Sequence, residues 1–127
     1  MAMTKQEKIL WEIMSVAEMQ SVIYKLQKRI SELCQAKNYI DARTYAQILI
    51  GRDDAWGMAS YGQMLHHGLG GAVDLMGARK WYLEAANKGD DFAKLNLFVL
   101  CKQGKGGEID FCQVQDWVQA VETEEIK

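Results

Sequence analysis

The sequence contains no proline. Nothing in it can break a helix by a missing N–H and a locked φ, so glycine is the only strong punctuation. Cysteine is scarce as well. Cys34, Cys101 and Cys112 form an odd set at irregular spacing with no C-x-x-C pair, which argues against a disulfide framework and a zinc site. They read as free, mostly buried thiols in a reducing compartment. A basic surplus is also missing: 15 basic residues face 17 acidic ones, for a formal charge of −2. Proteins that displace counterions from phosphates carry such a surplus, so nucleic acid is not the expected partner. The chain has no apolar stretch followed by a cleavage site and no run long enough to span a bilayer. A cytoplasmic protein without a membrane partner is expected.

What remains is a globular composition, 49% hydrophobic and 25% charged, in 127 residues. That is the size of one domain, and such a length buries roughly two-thirds of the surface of its unfolded chain. Glycine is placed periodically. Gly68, Gly70 and Gly71 recur as Gly104, Gly106 and Gly107, a shift of 36 residues that also carries Asp74 to Asp110 and Trp81 to Trp117. Taken backwards, the shift sets Ala78, Arg79 and Trp81 on Ala42, Arg43 and Tyr45. A fixed period in the thirties marks a helical solenoid.

Each unit reads as two helices. In the middle copy Asp53 or Asp54 caps a first helix that runs to about His67, where Gly68-Leu69-Gly70-Gly71 breaks it. Asp74 caps a second helix with Ala78, Trp81, Tyr82, Ala85 and Ala86 on one face, and Gly89 ends it. The last copy repeats the plan with Asp90 or Asp91, Phe92 to Gln103, and the glycines from 104. Asp110 and Gln113 form a capping box before Val114, Trp117, Val118 and Val121. The first copy is degenerate: Glu18 to Gln35 is followed by a second helix from Asn38 through Ile50, across a glycine-free loop, Cys34 to Lys37. Thr4 to Ser15 precedes it, with Ile9, Ile13 and Val16 on one side. The expected organisation is one domain over 1–127: a capping helix in 1–17, a degenerate repeat in 18–53, repeats in 54–89 and 90–121, and an acidic tail in 122–127.

The run Gly68-Leu69-Gly70, then Asp74, then Ala78-Arg79-Lys80-Trp81-Tyr82-Leu83-Glu84-Ala85-Ala86 and Gly89 closely resembles the Sel1-like repeats, relatives of the tetratricopeptide repeats. Their pattern is G-x-G, D, A-x-x-W-Y-x-x-A-A and G. The next copy keeps Gly104, Gly106, Asp110 and Trp117 but has Val114 and Val121 in place of the usual alanine, and the first copy fits in its second helix alone. The resemblance implies an all-α fold, a short right-handed α-solenoid of antiparallel helix pairs. It also implies a scaffold that holds protein partners, often on its concave side, and no catalytic residue set. Some secreted members carry a disulfide in each repeat, but these cysteines do not recur at the repeat spacing. Gly57 and Gly77 replace the family's usual alanine, which is expected to loosen packing and to weaken each helix by up to about 1 kcal/mol.

The chemistry-bearing patterns are few. His66 and His67 are neighbours, expected to point about 100° apart on a helix and to favour its C-terminus over a metal. The glycine cluster follows a helix, not the strand that a dinucleotide fingerprint requires. The paired aspartates recur with the repeat and read as caps. No enzyme activity, cofactor or metal is expected. Trp81, Tyr82 and Trp117 read as core, as do Gly57, Tyr61, Gly62 and Leu65, which recur as Ala93, Leu97, Phe98 and Cys101. Beside them runs a second stripe at i, i+4, i+7 and i+11. It is Trp56, Ser60, Gln63 and His67 in the middle copy, and Phe92, Asn96, Val99 and Gln103 in the last. In the first copy it is Gln20, Tyr24, Gln27 and Ser31. First helices line the inner curve in the family that the chain resembles, and aromatic anchors mixed with amides suit a protein interface. The candidate protein-binding residues are therefore Tyr24, Gln27, Trp56, Ser60, Gln63, His67, Phe92, Asn96, Val99 and Gln103. The expected function is non-catalytic binding of a protein partner through this face, as a small inhibitor or immunity protein. The alternatives are an adaptor within a larger complex and a self-assembling protein, a homodimer that buries Ile9, Trp11, Ile13 and Met14 of the N-terminal helix.

Overall fold

The structure, a computed structural model, describes residues 2–13 and 16–103, with backbone alone for residues 10–13. The expected loop at Gly104–Gly107, the helix bearing Val114, Trp117, Val118 and Val121, its cap Asp110 with Gln113, Cys112 and the acidic tail lie outside the described residues. So do Met14, Ser15 and the side chains of Trp11 and Ile13. The described residues form α1 (Lys5–Ile13), α2 (Val16–Gln35), α3 (Tyr39–Gly51), α4 (Ala55–His67), α5 (Leu75–Asn87) and α6 (Asp91–Lys102), with no strand among them.

A side-chain oxygen opens nearly every helix. Thr4 and Glu7 exchange bonds in a capping box: the Glu7 amide donates to Thr4 Oγ1 at 3.2 Å and the Thr4 amide to Glu7 Oε2 at 3.0 Å. Asn38 accepts from the Asp41 amide at 3.4 Å, Asp54 from Gly57 at 2.9 Å, Asp74 from Gly77 at 2.9 Å and Asp90 from Ala93 at 2.8 Å. Of the two aspartate pairs, Asp54 and Asp90 are thus the caps. Asp53 takes a left-handed backbone, φ 61°, and its carboxylate pairs with Lys88 at the surface.

Short connections fold each helix back on the last, so α3 packs on α2 and α4, and α5 on α4 and α6. Helices α2, α4 and α6 make one layer, and α3 and α5 the other. The core is two linked clusters. Ile30, Leu33, Ala42, Ala46, Leu49 and Met64 form the first; the second gathers around Tyr82 with Met58, Leu65, Ala78, Leu97 and Leu100. Helix α4 supplies both, with Met64 to one and Met58 and Leu65 to the other, which is how a solenoid keeps a continuous core while each unit touches only its neighbours.

Two glycines behave differently from expectation. A Cβ at Gly57 would run into the Leu49 side chain, and one at Gly77 into the capping Asp74 carboxylate. The absent side chain at Gly57 therefore lets α4 close on α3, whereas at Gly77 the capping carboxylate would have to turn aside. Gly57 thus tightens the packing that alanine was expected to favour, and its propensity cost is offset by contact.

The signature loop has a similar origin. Gly68, φ 67°, ends α4, and the Leu69 amide donates back to the Met64 carbonyl at 2.9 Å. Arg43 of α3 then holds the loop: its Nε donates to the Leu69 carbonyl at 3.0 Å, and Nη2 to those of Met64 at 3.1 Å and Ala72 at 3.4 Å. Gly70, φ 77°, lies so close over the Tyr39 carbonyl that no Cβ could fit. The glycines mark where one repeat's loop lies flat on the preceding repeat.

Candidate protein-binding surface

The four-and-three spacing of α4 places Trp56, Ser60, Gln63 and His67 along one line of the helix, beside its buried face. Trp56 is half-buried and packs against the first core cluster. On its open side lies a cavity of about 360 Å³ between α2 and α4, floored by Ile30, Cys34, Met64 and Leu69 and edged by Ser31, Tyr39, Ser60 and Gln63. Towards α6, Trp56, Ser60 and Gln63 share a second cavity, about 220 Å³, with Asp90 and Phe92. A third, of about 510 Å³, is lined by His66, His67, Val73 and Leu75 with Asn96, Val99 and Gln103.

Eight of the ten candidate residues therefore line three neighbouring cavities on the α2–α4–α6 layer. Phe92 is 50% exposed and Val99 43%, two large apolar side chains left partly in water. The other two candidates stand apart. Gln27 Nε2 donates to Asp54 Oδ2 at 3.1 Å, so its amide ties α2 to the cap of α4. Tyr24 is exposed on α2 and lines none of these cavities. Among the residues that line the three cavities, Asp90 alone carries a formal charge at neutral pH, and its Oδ1 serves as the cap of α6.

Sequence reasoning missed Ile30, Cys34, Tyr39 and Leu69 as lining residues. Leu69 had a signal, since it is the middle residue of the G-x-G motif, but Cys34 had none. Burial pushes the Cys34 thiol pKa up, because a thiolate there would lose hydration. The histidines also depart from expectation: the rings of His66 and His67 stack 4.3 Å apart at 15°, and His66 Nδ1 lies 3.4 Å from the buried Tyr82 hydroxyl. Burial raises the Tyr82 pKa and keeps that phenol neutral. Trp81 is only half-buried. It lies on the α3–α5 side, edge-on to Tyr61 at 6.2 Å, under the Lys80 ammonium. No group of three or more His, Cys, Asp or Glu residues among the described ones is arranged to hold a metal ion, and no described helix is long and apolar enough to cross a membrane.

Helix pairs stacked in two layers around a shared core define an α-solenoid. No protein-family model and no curated protein matches the chain. Among solved structures it is similar to the crystal structure of a Sel1 repeat protein from Oxalobacter formigenes, at 26% identity and a TM-score of 0.65 over 74% of this chain. The match spans 38% of the Oxalobacter chain. With this likeness, the capping aspartates and the glycine loop, the chain is a Sel1-like helical repeat protein.

Proposed function

We propose that the chain is a non-catalytic recognition module that binds a partner protein on the α2–α4–α6 layer. The contacts are Trp56, Ser60, Gln63, His67, Phe92, Asn96, Val99 and Gln103, flanked by Tyr24 and Gln27. One observation carries this reading: the half-buried Trp56 and the exposed Phe92 line the same cavity, with free amide and hydroxyl groups beside them. Anchors of this kind supply most of the energy of a protein interface. A face of this shape suits an inhibitor or immunity protein, which blocks one partner by covering it.

The adaptor reading has an observation of its own, a cavity of about 250 Å³ on the α3–α5 side, between Gln47 and Ile50 of α3, Tyr61 of α4 and Trp81 of α5. An adaptor uses two surfaces, and this is where the second would lie. Exposed Ile9 and Val16 support self-association at the N-terminal end. The test is a stoichiometric complex of the full chain with a captured partner, followed by titration calorimetry. Trp56→Ala with Phe92→Ala is expected to weaken binding about a hundredfold, the scale of two hot-spot truncations, while Trp81→Ala leaves it unchanged. The opposite pattern moves the interface to the α3–α5 layer, and a dimer by light scattering that Ile9→Lys abolishes favours self-assembly.

A further inference from the structure

We propose that the occupant of this face is an extended, uncharged segment of the partner that sinks one apolar side chain between α2 and α4. This rests on the recognition reading above and adds the chemistry of what is recognised. The first argument is charge. No charged residue lines the cavity between α2 and α4, and the one carboxylate of the neighbouring cavities, Asp90, lies towards α6 as that helix's cap. A lysine, arginine, aspartate or glutamate carried between α2 and α4 would give up its hydration without a countercharge.

The second argument is where the polar groups lie. The apolar floor of Ile30, Met64 and Leu69 is bordered by Ser60 and Gln63, and the Gln63 amide makes no hydrogen bond to another described residue. Further along, Asn96 donates to the Phe92 carbonyl at 2.8 Å, which leaves its own oxygen as an acceptor. An α-helix has already spent its main-chain N–H and C=O groups internally and could meet these amides only with side chains. An extended segment presents a donor and an acceptor at every residue. Its side chains alternate, so one enters the cavity while its neighbours point away and the main chain crosses Gln63. A volume of about 360 Å³ is at the small end of ligand pockets and fits one anchor.

The experiment pans a phage library of random dodecapeptides on the immobilised full chain and titrates the enriched sequences as synthetic peptides. Each is tested against Gln63→Leu and Ser60→Arg, two solvent-facing variants whose unchanged Tm is checked first. The expected result is a single apolar anchor flanked by uncharged residues and no helix by circular dichroism on binding. N-methylation of a peptide N–H beside the anchor and Gln63→Leu each cost about tenfold in affinity, and Ser60→Arg abolishes binding. Peptides that are lost with Ser60→Arg but carry charges or fold into helices overturn the extended-segment proposal and leave the recognition face standing. Peptides that survive Ser60→Arg remove the face itself, and a library without a binder overturns the proposal outright.

Discussion

The turn from α2 to α3 and the turn from α4 to α5 both reverse the chain within a few residues, yet only the second is rich in glycine. The repeat shift of 36 sets Glu32-Leu33-Cys34-Gln35 on Gly68-Leu69-Gly70-Gly71. In the first copy those residues are simply helix, because α2 runs on to Gln35 whereas α4 stops at His67. The turn that follows is closed by Lys37 at φ 61°, with the Asn38 amide donating to the Leu33 carbonyl at 2.8 Å. No arginine of an earlier repeat reaches this turn among the described residues. The glycines of the second turn are therefore required by a neighbour, not by the reversal itself. They let the loop lie on the Tyr39 carbonyl and under the Arg43 guanidinium.

That comparison breaks most sharply at Gly70. Gly70→Ala forces a Cβ onto the backbone of the preceding repeat at a left-handed φ. A loss of about 3 kcal/mol is expected in urea unfolding, from overpacking and left-handed strain together. A loss below about 1 kcal/mol, the helical propensity scale, would show that the loop can lift away and that the contact between repeats is dispensable.

Arg43 comes next. Arg43→Met keeps much of the side chain's length and removes three hydrogen bonds to carbonyls. Bonds from a charged donor are stronger than neutral ones, so a cost of about 2 kcal/mol is expected. Hydrogen exchange should quicken at the Leu69 and Asp74 amides before it quickens in α2. Arg29, exposed and paired among the described residues only with Glu32 on its own helix, is the control, with an effect within about 0.5 kcal/mol. Equal costs for the two arginines would deny Arg43 any role as a clamp.

These contacts explain which parts of the structure the sequence could disclose. Periodic aspartates and glycines announced the helices, their starts and the solenoid, because a cap or a left-handed turn needs a particular residue at a particular place. Arg43 was visible as a recurring residue, matched by Arg79, but its role was not, since the carbonyls it holds lie more than 20 positions away in the sequence. The error at Gly57 is of the same kind. Helix propensity is local and argued for alanine, while the Leu49 side chain that fills the space belongs to another helix. The stripe on α4 could be read from spacing, but the cavity beside it could not. That cavity is built jointly by α2, α4 and the loop after α4, and its Cys34 falls on Gly70 at the repeat shift, so no like residue recurs there.

The first turn offers a smaller test in the opposite direction. Lys37 holds a left-handed backbone without glycine's freedom. Lys37→Gly relieves that strain and loosens the unfolded chain, and the two effects nearly cancel, for an expected gain of about 0.5 kcal/mol. A destabilised Lys37→Gly protein would mean that the Lys37 side chain itself supports the turn.

The smallest effect expected is at Cys34, the register partner of Gly70. Its thiol is held protonated by burial, so the folded chain binds that proton more tightly than the unfolded chain does. The stability this confers is whole below the ordinary thiol range. It is lost as the pH rises from the ordinary thiol pKa through the raised folded one, because only the unfolded chain gains from ionising first. Stability should therefore decline across that alkaline window, and Cys34→Ser should flatten the decline. Tyr82, also raised by burial, contributes the same sign at higher pH and remains in the variant. Identical slopes for the two proteins would mean that the thiol does not feel its surroundings. Because Cys34 lines the cavity proposed to take the partner's anchor, a peptide seated there should slow maleimide labelling of this thiol further. A peptide that binds without protecting Cys34 would lie across α4 and α6 alone, leaving the α2 side of the face unused.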